Sequence, residues 1–62
     1  MLITEKTAER VRVKRAIERM TAKDLAKKLN TTHVTLRKVE RGEYDAPRRI
    51  YNAVMEWLAE DY

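Results

Sequence analysis

Residues 24–42 have the sequence DLAKKLNTTHVTLRKVERG, which contains two helical patterns separated by a short turn. Thr21, just before this stretch, is a favourable N-cap, and Asp24 lies three residues later, where an acidic side chain can complete a capping box. Asn30 marks the end of the first pattern, because asparagine tolerates the left-handed backbone conformation that follows many helices. The pattern predicts a helix over residues 22–29.

The second pattern begins at Thr32, another favourable N-cap, and ends at Gly42, the only glycine in the chain. Leu36 and Val39 are three residues apart, so they share the inner side of a predicted helix over residues 32–41. Only a short turn joins the two predicted helices. This is the spacing of a helix-turn-helix, in which the second helix is offered to the DNA major groove.

A further helix is predicted on each side of this pair. The first covers residues 7–19, and we expect its apolar residues to contact neighbours on two sides: Val11, Val13, Ala16, Ile17 and Met20. The last covers residues 46–60 without a break, with Asp45 as its predicted N-cap and Pro47 in its first turn. Its expected core stripe has helical spacing: Ile50, Val54, Trp57 and Leu58.

Composition supports an all-α fold class. Together with the four helical patterns, it predicts a small four-helix domain with a central helix-turn-helix. The chain has 62 residues, no cysteine, one glycine and one proline. A chain of this length forms one domain, residues 1–62, and buries only about 60% of its unfolded surface. Abundant Ala, Leu, Lys, Arg and Glu favour helices, and the absence of cysteine excludes disulfides and thiolate–metal sites.

Two sequence features concern location. The sequence has no apolar run of about 18 residues, the length that spans a membrane. The opening stretch MLITEKTAER also lacks the long apolar segment of a secretory signal. We therefore expect no membrane association and a cytoplasmic location.

Charge is distributed unevenly along the chain. Residues 1–42 contain 12 Lys/Arg and 5 Asp/Glu, which gives a net charge of +7. Residues 43–62 contain 2 Lys/Arg and 5 Asp/Glu, which gives a net charge of −3. The two parts add to the net charge of +4 of the whole chain. Such asymmetry favours a polyanionic partner on one side of the molecule, although uneven solvated charge would give the same count.

The outer side of the predicted helix over 32–41 carries candidates for contacts with DNA bases. Val34 lies among cationic residues on that side, where it can contact the thymine methyl group, the apolar feature of the major groove. His33 can donate to a guanine or to a phosphate. Arg37 and Lys38 can donate to guanine N7 and O6, Arg37 in the bidentate mode.

The same helix carries candidates for contacts with phosphates. Thr32 and Thr35 have hydroxyl groups suited to phosphate oxygens, and the free amides at the helix N-terminus attract anions. Arg41 lies further along, where we expect it to reach the DNA backbone.

From Arg10 to Arg48, the sequence resembles the helix-turn-helix domain of the repressors and Cro proteins of lambdoid phages. The similarity covers about two-thirds of the chain and is carried by RVRVKR at 10–15, DLAKKLNTTHVTLRKVERG at 24–42 and APRR at 46–49. The resemblance implies a lambda-repressor-like fold, a prokaryotic or phage-infected host, and a homodimer on double-stranded DNA with a palindromic operator. It implies base contacts by His33, Val34, Arg37 and Lys38, and phosphate contacts by Thr32, Arg41, Arg48 and the amide near Ala22.

The resemblance also implies a partly buried ion pair between Arg15 and Glu40. A glutamate on the inner side of a helix needs a cationic partner, which agrees with this expectation.

The sequence departs from the usual pattern of that family at four places. Ala22 replaces a glutamine that normally clamps a phosphate, and Asn30-Thr31 replace a glycine and an apolar residue in the turn. Glu18-Arg19 stand where the first helix junction usually has a glycine. The fourth helix shows no break, so we expect one longer helix where the family has two.

The leading functional hypothesis is a sequence-specific DNA-binding repressor that blocks polymerase by occupying its operator. One alternative is a directionality factor for phage integration, which would bind DNA through the same kind of domain. Another is a protein-interaction module, such as an antitoxin or an anti-repressor, with an aromatic contact surface formed by Tyr44, Tyr51, Trp57 and Tyr62.

Catalysis is not expected. The chain has one histidine, no cysteine, no Gly-rich phosphate loop and no carboxylate pair placed for acid–base chemistry. We expect no cofactor, no metal and no small-molecule ligand. RNA binding is less favoured, because no aromatic platform on a sheet is predicted for stacking bases.

Overall fold

The computed structural model describes residues 1–60, in which four α-helices surround one core and two short strands pair at one end. The elements in chain order are β1 (Leu2–Ile3), α1 (Glu5–Ile17), α2 (Ala22–Lys28), α3 (His33–Arg41), β2 (Tyr44–Asp45) and α4 (Arg48–Ala59). The prediction of a small all-α fold is confirmed, with each helix within two residues of its expected bounds. The two strands were not predicted.

Threonine side chains cap three of these helices. The hydroxyl of Thr4 accepts a hydrogen bond from the Thr7 amide, which explains why α1 begins two residues earlier than predicted. Thr21 and Asp24 form the predicted capping box, since each side chain accepts from the other's backbone amide. Thr32 caps α3 by accepting from the Thr35 amide.

Two helices end in a Schellman motif with a non-glycine residue in the left-handed region. After α2, Asn30 has φ 56°, and the Thr31 amide donates to the Ala26 carbonyl. After α1, Arg19 also has φ 56°, and the Met20 amide donates to the Arg15 carbonyl. The motif pairs carbonyl groups that would otherwise be unsatisfied at a helix end.

The strands form a two-stranded antiparallel sheet that ties the start of the chain to the connection before α4. Leu2 pairs with Asp45, and Ile3 pairs with Tyr44. The Asp45 carboxylate accepts a hydrogen bond from the Met1 amine at 2.9 Å. Asp45 is therefore not the N-cap of α4, and that prediction was wrong; α4 begins at Arg48, directly after Pro47.

The core is formed by side chains from every helix and from β1. Its buried members are Ile3, Ala8, Val11, Leu25, Ala26, Leu29, Leu36, Val39, Ala46, Ile50, Val54 and Trp57. These include the predicted inward residues of α3 and α4, except Leu58, which is only partly buried.

The orientation of α1 differs in part from the prediction. Val11 is buried and Met20 packs partly buried against the core, as expected. Ala16 is exposed, and Val13 and Ile17 are 53% and 58% exposed, whereas Ala8 and Lys14 face inward. Burial of a lysine needs compensation, because an unpaired charge in the interior is costly.

The positive charge of Lys14 is compensated by groups at the C-terminal end of α4. Its ammonium group donates to the carbonyls of Trp57 and Glu60 and lies 3.6 Å from the Glu18 carboxylate. It also lies 4.7 Å from the centroid of the Trp57 ring. A cation is favourable at this place, since the last carbonyls of a helix are partly negative. These partners explain why the lysine, and not Val13, takes the inward position.

Candidate nucleic-acid interface

Helix α3 has one buried side and one cationic, exposed side. Leu36 and Val39 are completely buried in the core. The other side consists of exposed residues: His33, Val34, Arg37, Lys38 and Arg41. All five are predicted DNA-contacting residues, and the structure brings them together on one surface.

An ion pair attaches the end of α3 to α1. The Arg15 guanidinium donates to both oxygens of the Glu40 carboxylate, from Nε at 2.7 Å and from Nη2 at 3.2 Å. It also donates to the Met20 carbonyl at 3.1 Å. The two side chains are 27% and 14% exposed, so the expected ion pair is present and partly buried. Bidentate geometry of this kind fixes orientation as well as distance.

Arg12 adds a second connection between the same two helices, one that sequence reasoning missed. Its guanidinium donates to the Glu40 carbonyl and, at 3.1 Å, to the Glu5 carboxylate. Arginine near a helix C-terminus often serves this purpose, but the partner lies 28 residues away and gives no local signal. Arg12 and Arg15 together hold α3 in a fixed position against α1.

Val34 is the most exposed large apolar residue of the described chain, at 63%. It lines a shallow depression together with Arg37, Lys38 and Arg41. An isolated exposed valine is common on protein surfaces. Here three cationic side chains line the same depression, so the surface presents one aliphatic group among positive charges.

Lys38 has a contact within the protein. Its ammonium group lies 5.9 Å from the centroid of the Tyr44 ring, within the range of a cation–π interaction. Tyr44 belongs to β2 and is partly buried against the core. The position of this candidate base-contacting lysine therefore depends on the small sheet.

The hydroxyl groups of Thr32 and Thr35 are joined to each other. Thr32 Oγ1 accepts from the Thr35 amide and donates to Thr35 Oγ1 at 3.1 Å. Because the Thr32 hydroxyl already donates within the protein, the Thr35 hydroxyl is the one of the two that can donate to an external acceptor. Thr35 is half-buried and Thr32 is exposed, so both remain at the edge of the candidate surface.

His33 lies beside the start of α2. It lines one depression with Thr21, Ala22 and Lys23, and a second with residues of α2 and the turn, including Lys27 and Thr31. Ala22 is half-buried, and its amide belongs to the first turn of α2, where helix geometry leaves amides without intrahelical acceptors. The predicted backbone contact near Ala22 thus adjoins the α3 surface.

The start of α4 contributes Arg48 and Arg49, which are both exposed. Arg49 donates to the Asn30 carbonyl at 2.9 Å, so it braces the turn between α2 and α3. Sequence reasoning missed this contact. Arg48, the predicted phosphate ligand, is the first residue of α4.

The alternative aromatic contact surface loses its largest member in the described structure. Trp57 is buried, and Tyr44 and Tyr51 pack partly buried against the core. Tyr62 lies outside the described residues. The expected contribution of Trp57 to an aromatic patch is therefore wrong, whereas Tyr44 and Tyr51 remain partly exposed.

Comparisons with models of known protein families, with curated proteins and with solved structures found no match. Across residues 1–60, no helix combines the length and apolar character needed to cross a bilayer. The same residues contain no group of three histidine, cysteine or acidic side chains arranged to hold a metal ion.

Proposed function

We propose that this protein binds double-stranded DNA through the exposed side of α3 and acts as a transcriptional repressor by occluding an operator. In this proposal α3 lies in the major groove. His33, Val34, Arg37 and Lys38 face the bases, and the phosphate contacts come from Ala22, Thr32, Thr35, Arg41 and Arg48. The resemblance of residues 10–48 to the repressors and Cro proteins of lambdoid phages supports the same function.

The observation that carries the proposal is the exposure of Val34 among three cationic side chains on a helix held firmly by the core. The cations supply attraction to phosphates, which is independent of sequence. The aliphatic group supplies a contact that distinguishes thymine from cytosine. A surface that only kept the protein in solution would gain nothing from the valine.

Rigidity of α3 also supports the proposal. Base discrimination requires side chains to be held in register with the groove, and each correct contact contributes about 1–3 kcal/mol. Arg12 and Arg15 fix α3 to α1, and Arg49 fixes the turn that precedes α3. All three connections use charged hydrogen bonds, which are stronger than neutral ones.

A homodimer on DNA is part of the proposal. One subunit offers the nine-residue α3 and a few flanking groups, whereas specific DNA binding typically reaches a Kd of about 10⁻⁸ M or tighter. Two subunits related by a two-fold axis would contact half-sites about 34 Å apart, one turn of the duplex.

The proposal is tested by titrating a labelled random-sequence duplex with the protein by fluorescence anisotropy at increasing salt. If each subunit makes about three or four phosphate contacts, log K should fall with log salt with a slope of about −5 to −7 for the dimer. Arg37→Ala should weaken binding, whereas Arg10→Ala, an exposed arginine of α1, serves as the matched control. A slope near zero, or equal effects of the two substitutions, would refute the proposal.

Selection of bound duplexes from a random library then distinguishes a repressor from the directionality factor. A palindrome with half-sites one turn apart is expected for the repressor. Clustered, non-palindromic sites together with bent complexes would favour the directionality factor instead.

A second candidate function is a protein-interaction module, and the exposed pair Val13 and Ile17 favours it. They line a cleft on α1 together with Leu58 of α4. Exposed apolar clusters of this kind can contact a partner. Val13→Ser with Ile17→Ser should leave DNA binding unchanged under the leading proposal, which gel-shift titration checks.

A further inference from the structure

Two depressions meet at His33 and form one groove between the beginning of α2 and the beginning of α3. The first is lined by Lys23, Asp24, Ala26, Lys27, Thr31 and His33. The second is lined by Thr21, Ala22, Lys23 and His33. We call this combined feature the α2–α3 groove.

The charged groups around His33 are mainly cationic. Lys23 and Lys27 line the groove from α2, and both are exposed. Asp24 is the only acidic residue in the lining, and one of its oxygens accepts from the Thr21 amide at 3.2 Å. On α3 itself, Arg37 lies one helical turn beyond His33. Within residues 1–60, no further charged side chain lines this groove.

A phosphodiester group matches this lining. It carries one negative charge and several acceptor oxygens, and the two ammonium groups and the imidazole supply donors from both walls. A neutral imidazole offers a single N–H donor, whereas an imidazolium offers two donors and a positive charge. Histidine is the side chain whose charge ordinarily changes between about pH 5 and 8.

We infer that the α2–α3 groove binds one backbone phosphate and that His33 binds it as the imidazolium, so that DNA binding takes up a proton. This inference rests on the proposed function and changes the role of His33 from base contact to phosphate contact. Bound DNA favours the protonated imidazole. Affinity is therefore higher at acidic pH, where the imidazolium forms, and falls as the pH rises.

The test measures the Kd for a random-sequence duplex at constant low salt, at about pH 5.5 and about pH 8. The native chain should bind more tightly at the lower pH, by about fivefold for each bound subunit, the attraction of two unit charges about 4 Å apart in water. His33→Gln keeps a donor but cannot be protonated, so its affinity should vary little with pH. His33 is exposed, and melting curves of both proteins check that the fold is unchanged.

Lys23→Gln tests the location of the phosphate. It should weaken binding at both pH values and reduce the salt slope by about 0.9 for each phosphate that the lysine no longer neutralises. Lys6→Gln is the matched control, since Lys6 is an exposed lysine of α1 that lines neither depression.

Three outcomes would overturn the inference. The first is a Kd of the native protein that does not depend on pH. The second is a pH dependence of the Kd that the His33→Gln variant retains in full. The third is an equal loss of DNA affinity in Lys23→Gln and Lys6→Gln. In each of these cases duplex binding itself would stand. Failure to bind any duplex at low salt would instead refute the proposed function.

Discussion

At the scale of single residues, several turns of this protein place a residue other than glycine in the left-handed backbone conformation. Arg19, Asn30 and Glu43 all have φ between 52° and 56° in the described chain. Asparagine tolerates this conformation, but for arginine and glutamate it costs about 1–2 kcal/mol. Gly42, with φ 88°, has a second constraint, because a Cβ there would lie 2.9 Å from the Cα of Glu5.

Arg19→Gly should stabilise the protein. Glycine removes the left-handed strain at the end of α1, although the greater freedom of the unfolded chain offsets part of the gain. The expected net increase in the free energy of unfolding is about 0.5–1 kcal/mol, measured by urea denaturation. Gly42→Ala is the opposite control and should destabilise. A decrease in stability in Arg19→Gly would mean that the arginine side chain contributes more than its backbone costs.

Under the proposed function, Val34 is the residue on which sequence discrimination would most directly depend. Val34→Ser should weaken binding by about 1–3 kcal/mol at operators that have thymine at one particular position, because serine cannot replace the methyl contact. Affinities for paired duplexes that differ only at that position measure the effect. Equal weakening on every duplex would contradict a methyl contact and point to a general reduction of packing against DNA.

At the scale of elements, α1 uses three of its basic residues for structure. Arg12 and Arg15 connect α1 to Glu40 of α3, and Lys14 closes the end of α4. These three positive charges of the basic part of the chain are therefore engaged in contacts within the protein. The cations left for a ligand lie mostly on α2, α3 and the start of α4.

Glu40→Ala should destabilise the protein because it leaves Arg15 partly buried without its carboxylate partner. A fully buried pair would cost about 3–5 kcal/mol, and partial exposure of Arg15 reduces the expected destabilisation to about 2–3 kcal/mol. Thermal unfolding measures it, and a double-mutant cycle with Arg15→Ala isolates the pair. An additive cycle, with no coupling between the two substitutions, would show that the ion pair contributes nothing to stability.

At the scale of the whole molecule, the cations proposed to contact DNA come from three helices. Lys23 and Lys27 lie on α2, Arg37 and Arg41 on α3, and Arg48 begins α4. All five are exposed. Charges on one surface attract a polyanion over a distance comparable to the Debye length, about 8–10 Å at moderate salt, so binding should depend strongly on ionic strength.

Arg41→Ala and Arg48→Ala should each lower DNA affinity to the same extent on all sequences. In the proposed complex each substitution removes a cation that neutralises a phosphate, so the salt slope should decrease by about one in a monomer and about two in a dimer. Anisotropy titrations on an operator and on a random duplex measure both effects. Weakening confined to the operator would assign these arginines to base contacts instead.

Local sequence was sufficient to predict much of the fold. Caps at Thr21 and Thr32, the left-handed residue Asn30 and the helical spacing of Leu36 and Val39 all depend on residues close together in the chain. The same local information grouped the exposed residues of α3, because helical period alone separates one side from the other.

Tertiary structure alone decided which side of α1 faces the core, and with it the position of several charges. Period and hydropathy favoured Val13 and Ile17, but Lys14 turns inward because its acceptors are carbonyls more than 40 residues away. The pairing of Ile3 with Tyr44, the contact of Tyr44 with Lys38 and the brace from Arg49 to Asn30 are also contacts between different elements. Each partner in these contacts becomes a neighbour only after the helices have packed, so no local pattern in the sequence records them.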